Sequence, residues 1–188
     1  MSTPETICPA SREEWRQWLQ EHHETSQSVW FVYYKKAAGK PSIPWSDAVD
    51  EALCFGWVDS IRKPLDAERF IQFFGKRKPK STWSKINKEK VKRLIAEGKM
   101  MPAGYASIEV AKKNGSWTIL DEVEELIIPD DLEAAFAERP GSKDHFMSLS
   151  KSARKVLLSG LVFAKRPETR QKRIDEIVSL KTDEVGSK

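Results

Sequence analysis

An α+β fold is what this sequence predicts: a small antiparallel sheet of about three strands packed with helices, followed by a C-terminal helical region. Three observations carry that reading. Short β-branched and aromatic runs at 29–34, 57–63 and 69–74 are bounded by turn residues. Apolar residues recur at helical spacing between and after them. All seven tryptophans lie before position 118, after which the periodicity is helical throughout.

Taken in order, Ser11 and Glu14 have the spacing of a capping box, and Trp15, Trp18, Leu19 and His22 share one helical stripe. Strand 29–34 ends at Lys35-Lys36, and 37–44, with Gly39, Pro41 and Pro44, reads as a loop. Ser46 is placed to cap a second helix with Val49, Ala52 and Leu53 inward and Gly56 at its end. Strands 57–63 and 69–74, joined through Pro64-Leu65-Asp66-Ala67, form an antiparallel pair. A basic loop over 75–86 leads to a helix capped by Asn87, with Val91, Leu94 and Ile95 inward and Gly98 closing it. Pro102 suits the first turn of the next helix, which buries Ile108 and Ala111 and stops at Asn114-Gly115.

Beyond it, Asp130 is expected to cap a short helix over Leu132, Ala135 and Phe136, and Phe146, Met147 and Leu149 form a further turn or two. Ser150 starts a helix with Val156, Leu157, Leu161 and Val162 inward; Pro167 opens the last one, over Ile174, Ile177, Val178 and Leu180, before a polar tail. The aromatics stop and an acid block begins at 121–129, which predicts an α+β domain over 1–120 and a helical region over 121–188 packed on it.

Composition narrows the class. Hydrophobic residues at 39% and seven tryptophans suffice for a packed core, which excludes a disordered chain. No run of 18 apolar residues occurs, so no membrane span is expected. The first fifteen residues hold Glu5, Glu13 and Glu14 and no signal-peptide core, and two cysteines make no disulfide framework; the expected compartment is the cytoplasm. Net charge is +4, in blocks: ten Lys/Arg against two acids over 76–99, eight acids and no base over 121–138, and eight bases against Glu168 over 151–173.

Three motifs resemble a known family. The run Glu51-Ala-Leu-Cys-Phe-Gly-Trp-Val-Asp-Ser60, the segment Lys80-Ser-Thr-Trp-Ser-Lys-Ile-Asn-Lys88 and the stretch Ala164-Lys-Arg-Pro-Glu-Thr-Arg170 with Arg173-Ile174 are similar to signatures of the YdeI/OmpD-associated (OmdA, bacteriocin-protection) family. Gly98-Lys-Met-Met-Pro-Ala-Gly104 agrees as well, and the likeness runs from about Trp15 to Leu180. Where that family reads Thr-Pro-Arg, this chain has Phe74-Gly75-Lys76-Arg77. The resemblance implies a role in resistance to cationic antimicrobial peptides or bacteriocins, with a porin as partner, and implies no defined reaction.

Three clusters are candidate sites. In the first, Arg77, Lys80, Ser81, Trp83, Ser84 and Asn87 combine cations, hydroxyls and an aromatic face, the mixture that phosphate and base recognition needs. The bland alternative has Trp83 plugging the core while the serines make turns. In the second, Asp47 and Glu51 share a helix face and Asp59 follows on the next strand; two close carboxylates can divide acid and base roles or bind a divalent cation, or they can pair with Arg62, Lys63 or Arg77. In the third, Lys165, Arg166, Arg170 and Arg173 are placed to hold a phosphate or to dock on the acid block. Cys54 reads as a small buried hydrophobe, and His22-His23 lacks the i,i+4 spacing of a helical zinc site. No cofactor, metal or catalytic set is expected. The expected function is a non-enzymatic stress-response or binding protein; the alternatives are a nucleic-acid- or nucleotide-binding protein using 76–99, and an enzyme using Asp47, Glu51 and Asp59.

Overall fold

The computed structural model describes residues 5–180, so the polar tail expected after Leu180 lies outside the described residues. The chain forms two compact units, Met1–Trp117 and Thr118–Lys188.

The first unit runs β1 (Glu5–Ile7), α1 (Arg12–His22), β2 (Ser28–Tyr34), α2 (Trp45–Cys54), β3 (Trp57–Pro64), β4 (Arg69–Lys76), α3 (Lys85–Ala96) and α4 (Pro102–Lys113). Its sheet has the order β1-β2-β4-β3. β2 and β3 each pair antiparallel with β4, as the three aromatic runs predict, but β1 adds a fourth strand parallel to β2 and makes the sheet mixed. Three residues are too few to show a periodicity, which is why this edge strand left no signal in the sequence.

Alternation sends Val29, Phe31 and Tyr33 of β2 and Phe74 of β4 to one face. There they meet Trp15 and Leu19 of α1 and Ala48, Val49, Ala52 and Leu53 of α2, all buried. The Trp15 and Phe31 rings meet edge to face with centroids 5.1 Å apart, and the Trp15 Nε1–H donates to the Ala48 carbonyl at 3.0 Å, whereas the buried Trp57 and Trp83 indole N–H groups have no protein partner.

Three helix starts differ from expectation. Pro44, not Ser46, caps α2: its fixed φ of −59° ends the loop two residues early, and its carbonyl accepts from Asp47 and Ala48. Ser46 instead accepts from Lys90 Nζ at 2.7 Å. Ser84, not Asn87, caps α3, its Oγ accepting the Asn87 N–H at 3.3 Å. In the second unit, Pro129 rather than Asp130 holds the cap position of the 130–137 helix. At α1 the Ser11 cap forms, but Glu14 reaches back to the amide of Ala10.

Two glycines set how closely α4 approaches the end of α2. Gly56 closes α2 with φ of +72°, and a Cβ there would lie 2.8 Å from the Ala103 carbonyl oxygen. A Cβ on Gly104 would lie 2.3 Å from the Cys54 carbonyl oxygen and 2.4 Å from Met100 Sδ. That carbonyl also accepts the Met101 N–H at 3.1 Å. Two of the sequence motifs therefore touch: one supplies Gly56, the other Gly104. Because the clash at Gly104 is with backbone, Gly104→Ala is expected to cost about 1–3 kcal/mol, read as a lower urea midpoint with unchanged slope.

The second unit runs α5 (Asp121–Glu124), α6 (Asp130–Ala137), α7 (Ser142–Ser148), α8 (Lys151–Val162) and α9 (Pro167–Val178). Its core gathers Leu132, Phe136, Phe146, Leu158, Leu161, Ile174 and Ile177. Ser150 caps α8 as expected, accepting from Ala153 N–H at 3.1 Å. Val156, expected inward, is 69% exposed, and Met147 is 50% exposed. Five apolar residues in α8 exceed one stripe; the stripe that packs is Leu158 with Leu161, and Val156 lies about 200° from Leu158 at 100° per residue.

Candidate anion-binding groove

α2 carries two adjacent acids, Asp50 and Glu51, that are 3% and 2% exposed. Glu51 takes Arg12 on one oxygen and Arg16, at 2.5 Å, on the other. Asp50, which the sequence reading passed over, takes Lys90 at 2.6 Å and Arg93. A single helical turn thus ties α1 to α2 through one carboxylate and α2 to α3 through the other. Asp59 faces elsewhere: it accepts from Trp45 Nε1 at 3.0 Å and Gln72 Nε2 at 3.2 Å. Asp59 and Glu51 therefore have separate partners, Asp47 lies near the Arg12 that Glu51 holds, and Glu51 pairs with arginines of α1 rather than with Arg62, Lys63 or Arg77. Cys54 is fully buried, and burial raises its thiol to about 11, so it is protonated at neutral pH. Among the described residues no group of three or more His, Cys, Asp or Glu is placed to hold a metal ion.

The 76–88 loop does not form the site expected of it. Trp83 is 1% exposed, with Arg77 stacked over its ring at 3.8 Å. Arg77 donates to the Thr82 carbonyl at 2.8 Å, and burial lowers its guanidinium to about 10, which leaves it charged at neutral pH. Its Nε and Nη2 are buried without a protein partner, and the charge of Asp59, the Thr82 carbonyl and the indole face offset its burial. Ser84 and Asn87 are joined by the helix cap, Ser81 is half-buried, and Lys80 is exposed. Trp83 is enclosed, and what it borders with Arg77, Lys78 and Ser107 is a small cavity of about 170 Å³.

An accessible indole among lysines does exist, one ring away. After α4, Gly115 turns with φ of +79°, and Asn114 Nδ2 and Ser116 Oγ both donate to the Pro79 carbonyl, at 2.6 and 3.3 Å. The Trp117 N–H bonds back to Ala111 at 3.1 Å. This return sets Trp117 against Trp83, centroids 4.9 Å apart, and leaves it half-buried at the edge of the core. Val91, Ile95, Ile108 and Trp117 then floor a groove of about 390 Å³ between α3 and α4, edged by Lys88, Glu89, Lys92 and Lys112. Lys88 and Lys112 stand 5.3 and 6.0 Å from the Trp117 ring centre. The volume falls in the range of small-molecule sites. The signal for it was present in the sequence: Lys88, Lys92 and Ile95 share one face of α3, and Ile108 and Lys112 one face of α4.

In the second unit, Arg170 reaches the acid block, donating to both oxygens of Asp131 at 2.5 and 2.9 Å and to the Leu161 carbonyl. Arg173 donates to the Gly160 carbonyl; Lys165 and Arg166 are exposed and stand apart from this pair. Lys155 meets Glu124 at 2.5 Å. The Arg170 hydrogen bonds hold the Asp131 carboxyl below its ordinary value of 3.8. Asp131 therefore binds its proton less readily folded than unfolded, and its contribution is complete above that ordinary value and is lost as pH falls through the folded one. Thermal melts between roughly pH 5 and pH 2 are expected to show a shallower acid destabilisation in Arg170→Ala than in the parent chain.

Comparison with known proteins divides the sequence in a related way. Residues 7–107, which hold strands β2, β3 and β4, the paired acids and the first half of α4, match the model of a domain of unknown function, DUF8412. The chain belongs to that family. Residues 125–181 match a second model, Bacteriocin-protection, YdeI or OmpD-Associated. The YdeI/OmpD-associated likeness thus holds over the C-terminal part, while Glu51–Ser60 and Lys80–Lys88 fall in the DUF8412 stretch. The groove takes its α3 wall from the DUF8412 stretch, and Trp117 lies just past the end of that match. Neither a curated protein nor a solved structure matches the chain.

Proposed function

We propose that this chain is a non-enzymatic binding protein that takes an anionic ligand with an apolar or aromatic part in the α3–α4 groove. The observation that carries this reading is the convergence of Lys88, Lys92 and Lys112 and one indole on an apolar floor, with Lys112 also pairing with the exposed Glu109 at 3.1 Å. Ammonium groups beside low-dielectric walls attract anions over several ångströms, and the floor rewards whatever apolar surface the anion brings. A cationic peptide meets like charge there, so the bacteriocin-related role suggested by the match over 125–181 operates through some other contact than this groove. No helix among the described residues is long and apolar enough to cross a membrane, in keeping with a ligand met in solution or at a surface.

Nucleic acid is the less favoured ligand. Of the cations in 76–99, Lys90 and Arg93 are held by Asp50, Lys99 by Glu97 and Arg77 by Trp83. A phosphate track needs cations spaced along a surface, and in this block Arg77 and Lys90 are turned inward while Arg93 and Lys99 are paired with acids at the surface.

The fluorescent anion anilinonaphthalene sulfonate tests the reading. Its binding is expected to weaken as salt rises, and to fall about tenfold in Lys92→Glu/Lys112→Glu, equivalent to about 1.4 kcal/mol. Both lysines are exposed, so the melting temperature should stay within a few degrees of the parent. Equal binding by parent and double variant would remove the groove as the site.

A further inference from the structure

Resting on that reading, we infer that the natural ligand class of the groove is a single-headed anionic amphiphile: a carboxylate or phosphate joined to an acyl-type chain. The lining decides between this class and a nucleotide. Val91, Ile95, Ile108 and the Trp117 ring supply the floor, and the polar groups at the edge are ammonium ions and the Glu89 carboxylate. No amide or hydroxyl side chain lines the groove. Beyond the ammonium groups, the Glu89 carboxylate and the Trp117 indole N–H are the directional partners this lining offers, too few to match the ring nitrogens and exocyclic groups of a nucleobase, and each buried group left unmatched weakens binding. An acyl chain has no polar atoms to satisfy, and each methylene buried strengthens binding.

Charge points the same way. Lysine ammonium groups on flexible stems act as point charges without the planar fork that selects a phosphate diester or guanine edge. They suit one terminal head of any geometry, and their methylene stems extend the apolar surface along which a chain can lie. Glu89 on the same edge disfavours a second negative charge there, which argues for one head rather than a polyphosphate.

The test is displacement of bound anilinonaphthalene sulfonate from the full chain by decanoate, decyl phosphate, decanol and adenosine monophosphate, below the micellar concentration of each amphiphile. Decanoate and decyl phosphate are expected to displace the probe at least tenfold more effectively than decanol, which lacks the charge, and than adenosine monophosphate, which lacks the chain. Lys92→Glu/Lys112→Glu should erase the advantage over decanol. Displacement by adenosine monophosphate with none by decanoate overturns the amphiphile while leaving an anion-binding groove. Decanol equal to decanoate overturns the role of charge, and failure of the probe itself to bind overturns both readings.

Discussion

Glu51→Ala is expected to destabilise the chain by about 3 kcal/mol, toward the lower end of the range for breaking a buried ion pair. The carboxylate is 2% exposed and each of its oxygens carries an arginine, so its loss strands two guanidiniums that folding has already brought together. Arg12 and Arg16 retain 28% and 26% of their side-chain exposure, and this access to water limits the cost. Urea unfolding followed by tryptophan fluorescence reads the effect. Asp59→Asn is the contrast: the amide oxygen still accepts from Trp45 and Gln72, and the change should lie within about 0.5 kcal/mol. Were Asp59→Asn the more damaging of the two, the clamp described for α2 would be misassigned.

Trp83→Ala is expected to cost about 3–5 kcal/mol, because a fully buried indole leaves a cavity between the loop and Trp117 and removes the ring over which Arg77 stacks. The sequence already offers this burial beside a second outcome, in which the variant folds and loses anion binding. Comparing the urea midpoint with probe binding at a temperature where the variant remains folded separates the two: the midpoint should move far more than the affinity.

That contrast shows where the sequence is legible and where it is not. Strands β2, β3 and β4 and helices α1, α4 and α9 can be read because alternation, proline and the Ser11 cap are local signals that the fold agrees with. Burial of one particular tryptophan is not local. Trp83 and Trp117 lie in similar company, with Lys80, Lys85 and Lys88 around the first and Lys112 and Lys113 near the second. What turns Trp83 inward is the return of the chain after α4 and the two donors it sends to the Pro79 carbonyl, 35 and 37 residues away. The acids tell the same story. Asp47 and Glu51 share a helix face by spacing, yet Glu51's partners come from α1 and Asp50's from α3, contacts spanning 35 to 43 residues. A carboxylate pair is visible in a sequence; the guanidiniums that occupy it are visible only in three dimensions.

The central claim is that an anion settles beside Trp117 and not beside Trp83. Indole N–H resonances of the seven tryptophans, assigned by single Trp→Phe variants and followed during a decanoate titration, test it most directly. The Trp117 resonance is expected to move most, with Trp30 and Trp45 unmoved and every shift reversed by salt. If Trp117 stays fixed while another indole responds, or if none responds at millimolar decanoate, the groove is not the binding site.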